Sequence, residues 1–75
     1  MTTINADYVT TAEQLEDEEF NLDVTFMHDL REVTGELVDV AECAGKMVVA
    51  LYHGHNCRTV HYILDMDAHV GVFLP

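Results

Sequence analysis

The sequence predicts a single-domain α+β fold over residues 1–75: an N-terminal helix, a strand, a short acidic helix, and an antiparallel meander that completes a five-stranded sheet. A chain of 75 residues can bury one modest core but has no room for a separate catalytic domain. Apolar residues make up 49% of it, too many for a disordered acidic tail. In the second half, short connections separate the apolar runs, which favours antiparallel neighbours.

The first element in the chain is predicted to be a weak helix. Residues 1–10 show no clear period and are expected to include a mobile end. A helix is expected to begin at Thr10 or Thr11, because a threonine followed three residues later by Glu or Gln is the capping-box pattern. The helical segment, AEQLEDEE, offers only Ala12 and Leu15 for burial. Its acidic residues are expected either to be solvated or to face a basic partner.

A strand is predicted from Phe20 to Phe26. Apolar and polar residues alternate along FNLDVTF, which is the period of a half-buried strand. Asp23 falls on the polar face of this strand. The sequence therefore predicts a carboxylate on the solvent side of the first long strand.

A short acidic helix is predicted over residues 29–35. Leu30 and Val33 are spaced three apart, and Gly35 is suited to end a helix in a left-handed conformation. Asp29 and Glu32 would share one edge of this helix. The segment would place carboxylates beside apolar side chains.

Four more strands are predicted in the second half, at residues 36–42, 47–52, 59–65 and 69–74. The run MVVALY is apolar at every position, which is typical of a central strand covered on both faces. A tight turn is expected at residues 44–46, where Gly45 supplies a positive φ.

The charge is strongly negative and unevenly distributed. Fourteen Asp and Glu residues against three Lys and Arg residues give a net charge of −11, and all but two of the acidic residues precede residue 43. Such a surface repels nucleic acid and anionic membranes, and it attracts basic proteins over roughly 8–10 Å. The acidity therefore indicates a basic protein partner, unless it serves only solubility.

The two cysteines indicate a reducing compartment. The N-terminal segment MTTINADY has no basic or apolar signal region, and no apolar run approaches a membrane span. We therefore expect a cytoplasmic protein in which Cys43 and Cys57 are free thiols. A disulfide between them is the alternative.

Catalytic and metal sites have little support in the sequence. His53, His55, Cys57 and His61 lie within nine residues, but their spacing matches no standard zinc motif. A turn with incidental polar residues is favoured instead. The chain has no serine, and only Cys57 with His53 or His55 offers a nucleophile and a base. The sequence predicts a binding protein with no enzymatic activity, metal or cofactor.

From about Phe20 to the C-terminus, the order of features resembles the phage-encoded uracil-DNA glycosylase inhibitors of the Ugi type. The resemblance is carried by Asp23, by DLREVTG, by ELVDVAE and by KMVVALYHGHNCRTVHYILDMDAHVGVFLP. It implies inhibition of a glycosylase by DNA mimicry, in a one-to-one complex within the host cytoplasm. Carboxylates would replace phosphates, and a pocket between the short helix and the sheet would receive the apolar side chain that the enzyme pushes into the duplex.

The resemblance also implies site residues. The phosphate-mimicking residues would be Asp23, Asp29 and Glu32, and the pocket would draw on Leu30, Val33, Val38, Val48 and Ala50. If the alignment carries no gap, Asn21 takes the position of Asp23. Two alternatives stay open: a DNA mimic that inhibits another DNA-binding or defence protein (a restriction enzyme, a CRISPR effector, a nucleoid protein or a nuclease), and a small acidic adaptor protein.

Overall fold

The computed structural model of the chain describes residues 6–18 and 20–75. In these ranges the protein is one antiparallel sheet of six strands, so the predicted α+β fold with five strands is wrong. The strands are β1 (Tyr8–Thr11), β2 (Asp23–His28), β3 (Arg31–Cys43), β4 (Lys46–His53), β5 (Arg58–Asp65) and β6 (His69–Phe73). A 3-10 helix, Glu13–Asp17, lies between β1 and β2. No helix in the described ranges is long and apolar enough to span a membrane.

The strand order is β1-β6-β2-β3-β4-β5. Consecutive hairpins join β2 through β5, so the meander prediction holds for β3, β4 and β5. It is wrong for β6, which pairs with β1 and β2 instead of β5. The sheet is strongly coiled, since Phe26 of β2 and Tyr62 of β5 meet edge to face with ring centroids 5.4 Å apart. The β5–β6 connection therefore has only a short distance to cover.

The acidic helix predicted at residues 29–35 is wrong. Asp29 and Leu30 form a two-residue turn with φ of 51° and 64°, the signature of a type I′ hairpin turn. Arg31 then pairs with His28, and β3 runs antiparallel to β2. The three-residue spacing of Leu30 and Val33 imitated a helix, but the alternation from residue 31 to residue 37 has the period of a strand.

The predicted N-terminal helix is reduced to a single 3-10 helix. Ala12 and Leu15 are both fully buried, as expected, and the Thr11 hydroxyl accepts a hydrogen bond from the Gln14 N–H at 3.4 Å. Thr10 lies in β1 rather than at a helix start or in a mobile end. Residues 1–10 were predicted to include a mobile end, and of these, residues 1–5 lie outside the described residues. Glu19, at the predicted helix end, also lies outside them.

The sheet has an inner face that forms the core and an outer face directed to solvent. Alternate residues of β2, β4 and β6 fill the core together with residues from β3, β5 and the 3-10 helix; the fully buried members include Val24, Phe26, Leu37, Met47, Val49, Leu51, Val70 and Val72. The 44–46 turn forms as predicted, with Gly45 at φ 79°. β4 is also covered on its outer side at Ala50, which is 2% exposed.

Candidate partner-binding surface

Four carboxylates lie on the outer face of β2 and β3. The cross-strand register places Asp23 opposite Glu36 and Met27 opposite Glu32, all pointing away from the core residues Val24 and Phe26. We call Asp23, Glu32, Glu36 and Asp39 the outer acidic face. The alternation of β2 was sufficient to predict the position of Asp23.

A bulge in β3 brings Asp39 to the same face as Glu36. Glu36 pairs with Tyr52 and Asp39 pairs with Ala50, so Val38 is an extra residue in the ladder. Residues three apart in a regular strand point to opposite sides, but one extra residue restores the same side. The Asp39 carboxylate also accepts a hydrogen bond from the Val40 N–H at 2.9 Å. The bulge therefore extends the row of carboxylates along β3.

The outer acidic face has no ion-pair partner among the described residues. The ion pairs among the described residues join His28 to Asp29 at 3.5 Å and Lys46 to Asp65. Lys46 begins β4 and pairs with Cys43 at the end of β3, beyond the bulge. Its hydrogen bond to Asp65 raises the pKa of Lys46, and the charge of that carboxylate raises it further. Carboxylates directly opposite one another repel by about 0.2–1 kcal/mol. The free protein therefore presents uncompensated negative charge on this face.

The three predicted phosphate mimics all lie on the β2–β3 hairpin, but not at one point. Asp23 and Glu32 belong to the outer acidic face, whereas Asp29 lies in the turn at the tip, roughly 17 Å along the hairpin from Asp23. Asn21 precedes β2 in a left-handed conformation with φ 72°, and its backbone N–H donates a hydrogen bond to the Leu37 carbonyl at 2.7 Å. Asp23, not Asn21, is therefore the residue within the sheet.

The structure does not bring the five predicted pocket residues together. The helix that was to form one wall is absent, and Leu30 is 97% exposed at the hairpin tip. Val48 and Ala50 lie on the outer side of β4, and Val38 is the bulge residue of β3. Val33 points the other way, toward Phe26. The prediction of a helix-walled pocket formed by these residues is therefore wrong.

A different concavity forms between the start of β3 and the turn that joins β4 to β5. This groove has a volume of about 330 Å³, and Glu32, Val33, His53, His55 and Tyr62 are among its lining residues. In its lining, His53 is 9% exposed and its Nε2 lies 2.8 Å from the Tyr62 hydroxyl, within hydrogen-bond distance. This groove was not predicted from the sequence, although the register of β4 and β5 places His53 and Tyr62 on the inner face.

The histidines and cysteines are spread over both faces and both ends of the sheet. His53 is on the inner face, while His61 lies opposite Ala50 on the outer face. No group of three or more potential metal ligands occurs among residues 6–18 and 20–75. Cys43 and Cys57 are exposed free thiols at opposite ends of β4. Eight strand residues span about 25 Å, so these cysteines are too far apart for a disulfide.

The chain matches no known protein family, no curated protein and no solved structure.

Proposed function

We propose that this protein is an inhibitor that uses its outer acidic face to occupy the DNA-binding groove of a basic protein, with uracil-DNA glycosylase as the first target to test. Proteins that bind DNA present Lys, Arg and helix N-termini to phosphates. Carboxylates fixed on a rigid sheet can engage the same groups. The proposal depends on the charged surface and not on a helix-walled pocket.

The observation that carries the proposal is the pairing of Asp23 with Glu36. The two carboxylates are adjacent on β2 and β3, and neither makes an ion pair within the described residues. A cation would relieve their repulsion, and the three Lys and Arg residues of the chain do not supply it. A basic partner would therefore gain both the attraction to each carboxylate and the relief of their mutual repulsion.

The hairpin also offers apolar contacts beside the charges. Leu30 projects from the tip, and Met27 on the outer face is 38% exposed. The groove beside Glu32 combines that carboxylate with aromatic rings, a combination that suits a guanidinium group. Affinity depends on a few such central contacts more than on total charge.

An inhibition assay tests the proposal directly. The purified protein is mixed with a bacterial uracil-DNA glycosylase, and cleavage of a uracil-containing oligonucleotide is followed at physiological salt. Inhibition at a near-equimolar ratio supports the proposal. Full cleavage in large excess of the protein eliminates this target. The remaining hypothesis of DNA mimicry is then tested against purified restriction, CRISPR and nucleoid proteins, with displacement of their DNA as the readout.

A further inference from the structure

Strand β5 is a long sheet edge without the features that usually protect such an edge. It pairs with β4 on one side and has no strand on the other among the described residues. Its central segment, TVHYIL, contains no Lys, Arg, Asp, Glu or Pro. Native proteins commonly use Lys, Pro or a bulge to block pairing at an exposed edge. The opposite edge, β1, has only four residues.

The charge distribution permits a second copy to approach this edge. Residues 43–75 carry two basic residues, Lys46 and Arg58, and two acidic residues, Asp65 and Asp67, so their formal charge is zero. The net charge of −11 resides in residues 1–42. Two molecules that meet through β5 therefore bring their neutral parts together and keep their acidic parts farther apart.

We propose that β5 pairs antiparallel with β5 of a second copy about a two-fold axis at Ile63, which joins the two sheets into one. Ile63 is 62% exposed on the outer side of β5. This register places Ile63 opposite its own copy and His61 opposite Asp65 of the second copy. The imidazole N–H can donate to that carboxylate on both sides of the axis.

The side chains select this register over its neighbours. An axis at Tyr62 would place Ile63 opposite His61 of the second copy, and an axis at Leu64 would place it opposite Asp65. Both arrangements would set an apolar side chain against a polar one. An axis at Asp65 would set two like charges against each other, which is destabilising. Among these four axes, the one at Ile63 alone pairs apolar with apolar and donor with acceptor.

The dimer is expected to tighten as salt is added. Two copies of charge −11 repel at long range, and salt shortens the Debye length from about 30 Å at 0.01 M to about 3 Å at 1 M. The pairing of backbone groups and of Ile63 is much less sensitive to screening. We expect the dimer dissociation constant to fall at least about tenfold across that range of salt.

Sedimentation velocity and light scattering under reducing conditions test the pairing. At concentrations up to about 1 mM, the wild-type protein is expected to reach twice the chain mass of 8.5 kDa. Ile63→Lys places two cations at the axis and is expected to raise the dissociation constant at least about tenfold. Val9→Lys is the matched control, since Val9 is 52% exposed on the other edge strand and its substitution should leave the dimer intact.

Three results would overturn the proposal. The first is a wild-type protein that stays monomeric at the highest concentration and salt. The second is a dimer that Ile63→Lys leaves intact or that Val9→Lys dissociates. The third is a dimer that disappears when reductant is added, because the exposed thiols would then account for it. The proposed dimer does not rest on the proposed inhibitor function. The oligomeric state therefore does not decide whether the protein inhibits a DNA-binding protein, and the inhibition assay does not decide whether β5 pairs.

Discussion

Asp23 and Glu36 lie directly opposite each other on β2 and β3, on the outer face of the sheet. No Lys or Arg within the described residues forms an ion pair with either of them. Such a pair lowers the stability of the free protein, and under the proposed function a partner supplies the compensating positive charge. Stability and binding should therefore respond in opposite directions when one of these charges is removed.

Neutralising Glu36 is expected to stabilise the free protein. Glu36→Gln keeps the side-chain length and removes one of the two repelling charges, so the free energy of unfolding should rise by about 0.2–1 kcal/mol. Urea unfolding at low salt measures the change, and high salt should reduce it. Glu42→Gln serves as the control, because it makes the same charge change on β3 opposite Met47. An equal gain in both variants would attribute the effect to net charge instead of the pair.

Replacing Leu30 with glycine is expected to stabilise the hairpin. Leu30 has φ 64°, and a left-handed conformation costs a residue with a Cβ about 1–2 kcal/mol. Its side chain is 97% exposed, so Leu30→Gly loses almost no packing and should raise the free energy of unfolding by about 1 kcal/mol.

Thermal unfolding measures the effect of Leu30→Gly. Leu74→Gly is the control, since Leu74 is also exposed, at 60%, and its φ is not positive. A Leu30→Gly protein that melts at or below the wild-type temperature would contradict the strained turn.

Gly35 is needed for close packing between β3 and β4. A Cβ at this position would lie 3.1 Å from His53 Cε1, Leu51 Cβ and the Tyr52 carbonyl oxygen. Gly35→Ala is expected to lower the free energy of unfolding by about 1–3 kcal/mol. At Gly54 a Cβ would have only Tyr52 Cε2 within 4 Å, at 3.9 Å, so Gly54→Ala should be close to neutral. Similar urea midpoints for the two variants would refute this packing argument.

Tyr52 is expected to titrate above the ordinary tyrosine pKa of 10.0. The main cause of the raised pKa is its hydrogen bond to Cys57, followed by partial desolvation and the charge of Glu36. Because the folded state favours the neutral phenol, this contribution to stability is present below pH 10.0 and is lost as the pH rises through the pKa of the folded protein.

NMR of the tyrosine ring resonances during a pH titration measures this pKa. Cys57→Ala should lower it toward 10.0, and Glu36→Gln should lower it less. Cys43→Ala is the control, because Cys43 lies at the other end of β4. A Tyr52 pKa that is the same in wild type and Cys57→Ala would remove the hydrogen bond as its cause.

The sequence patterns that proved reliable were those with a single period over a whole element. The alternation of residues 20–26 correctly placed Asp23 outside and Val24 and Phe26 inside. It was wrong for Phe20, which is 50% exposed and precedes β2, and for Thr25, which is 2% exposed on the outer side. The uninterrupted apolar run of β4 correctly indicated a strand with a neighbour on each side, but the predicted cover on both faces is incomplete, because Ala50 is buried on the outer side and Tyr52 is exposed there. These signals are strong because burial of alternate side chains, or of both faces, dominates the energetics of a sheet.

The patterns that misled have local physical explanations. Asp29 is a common residue in a type I′ turn, but Leu30 occupies the position where Gly is normally found, so the hairpin looked like a helix start. The extra residue at Val38 hid the fact that Glu36 and Asp39 share a face. The placement of β6 beside β1 and β2 depends on sheet coiling, which no short sequence window reports. Half of the outer acidic face was therefore invisible before the fold was known.

The central claim is that carboxylates at defined positions, rather than net charge, hold a basic partner. The most direct test titrates three proteins into the glycosylase assay: wild type, Asp23→Asn with Glu36→Gln, and a control with equal charge, Glu42→Gln with Asp67→Asn. We expect inhibition by the wild type, an inhibition constant at least about tenfold higher for the Asp23 and Glu36 variant, and a change below about twofold for the control. No inhibition by the wild type would eliminate the glycosylase as the partner, and equal inhibition by both double variants would contradict the claim.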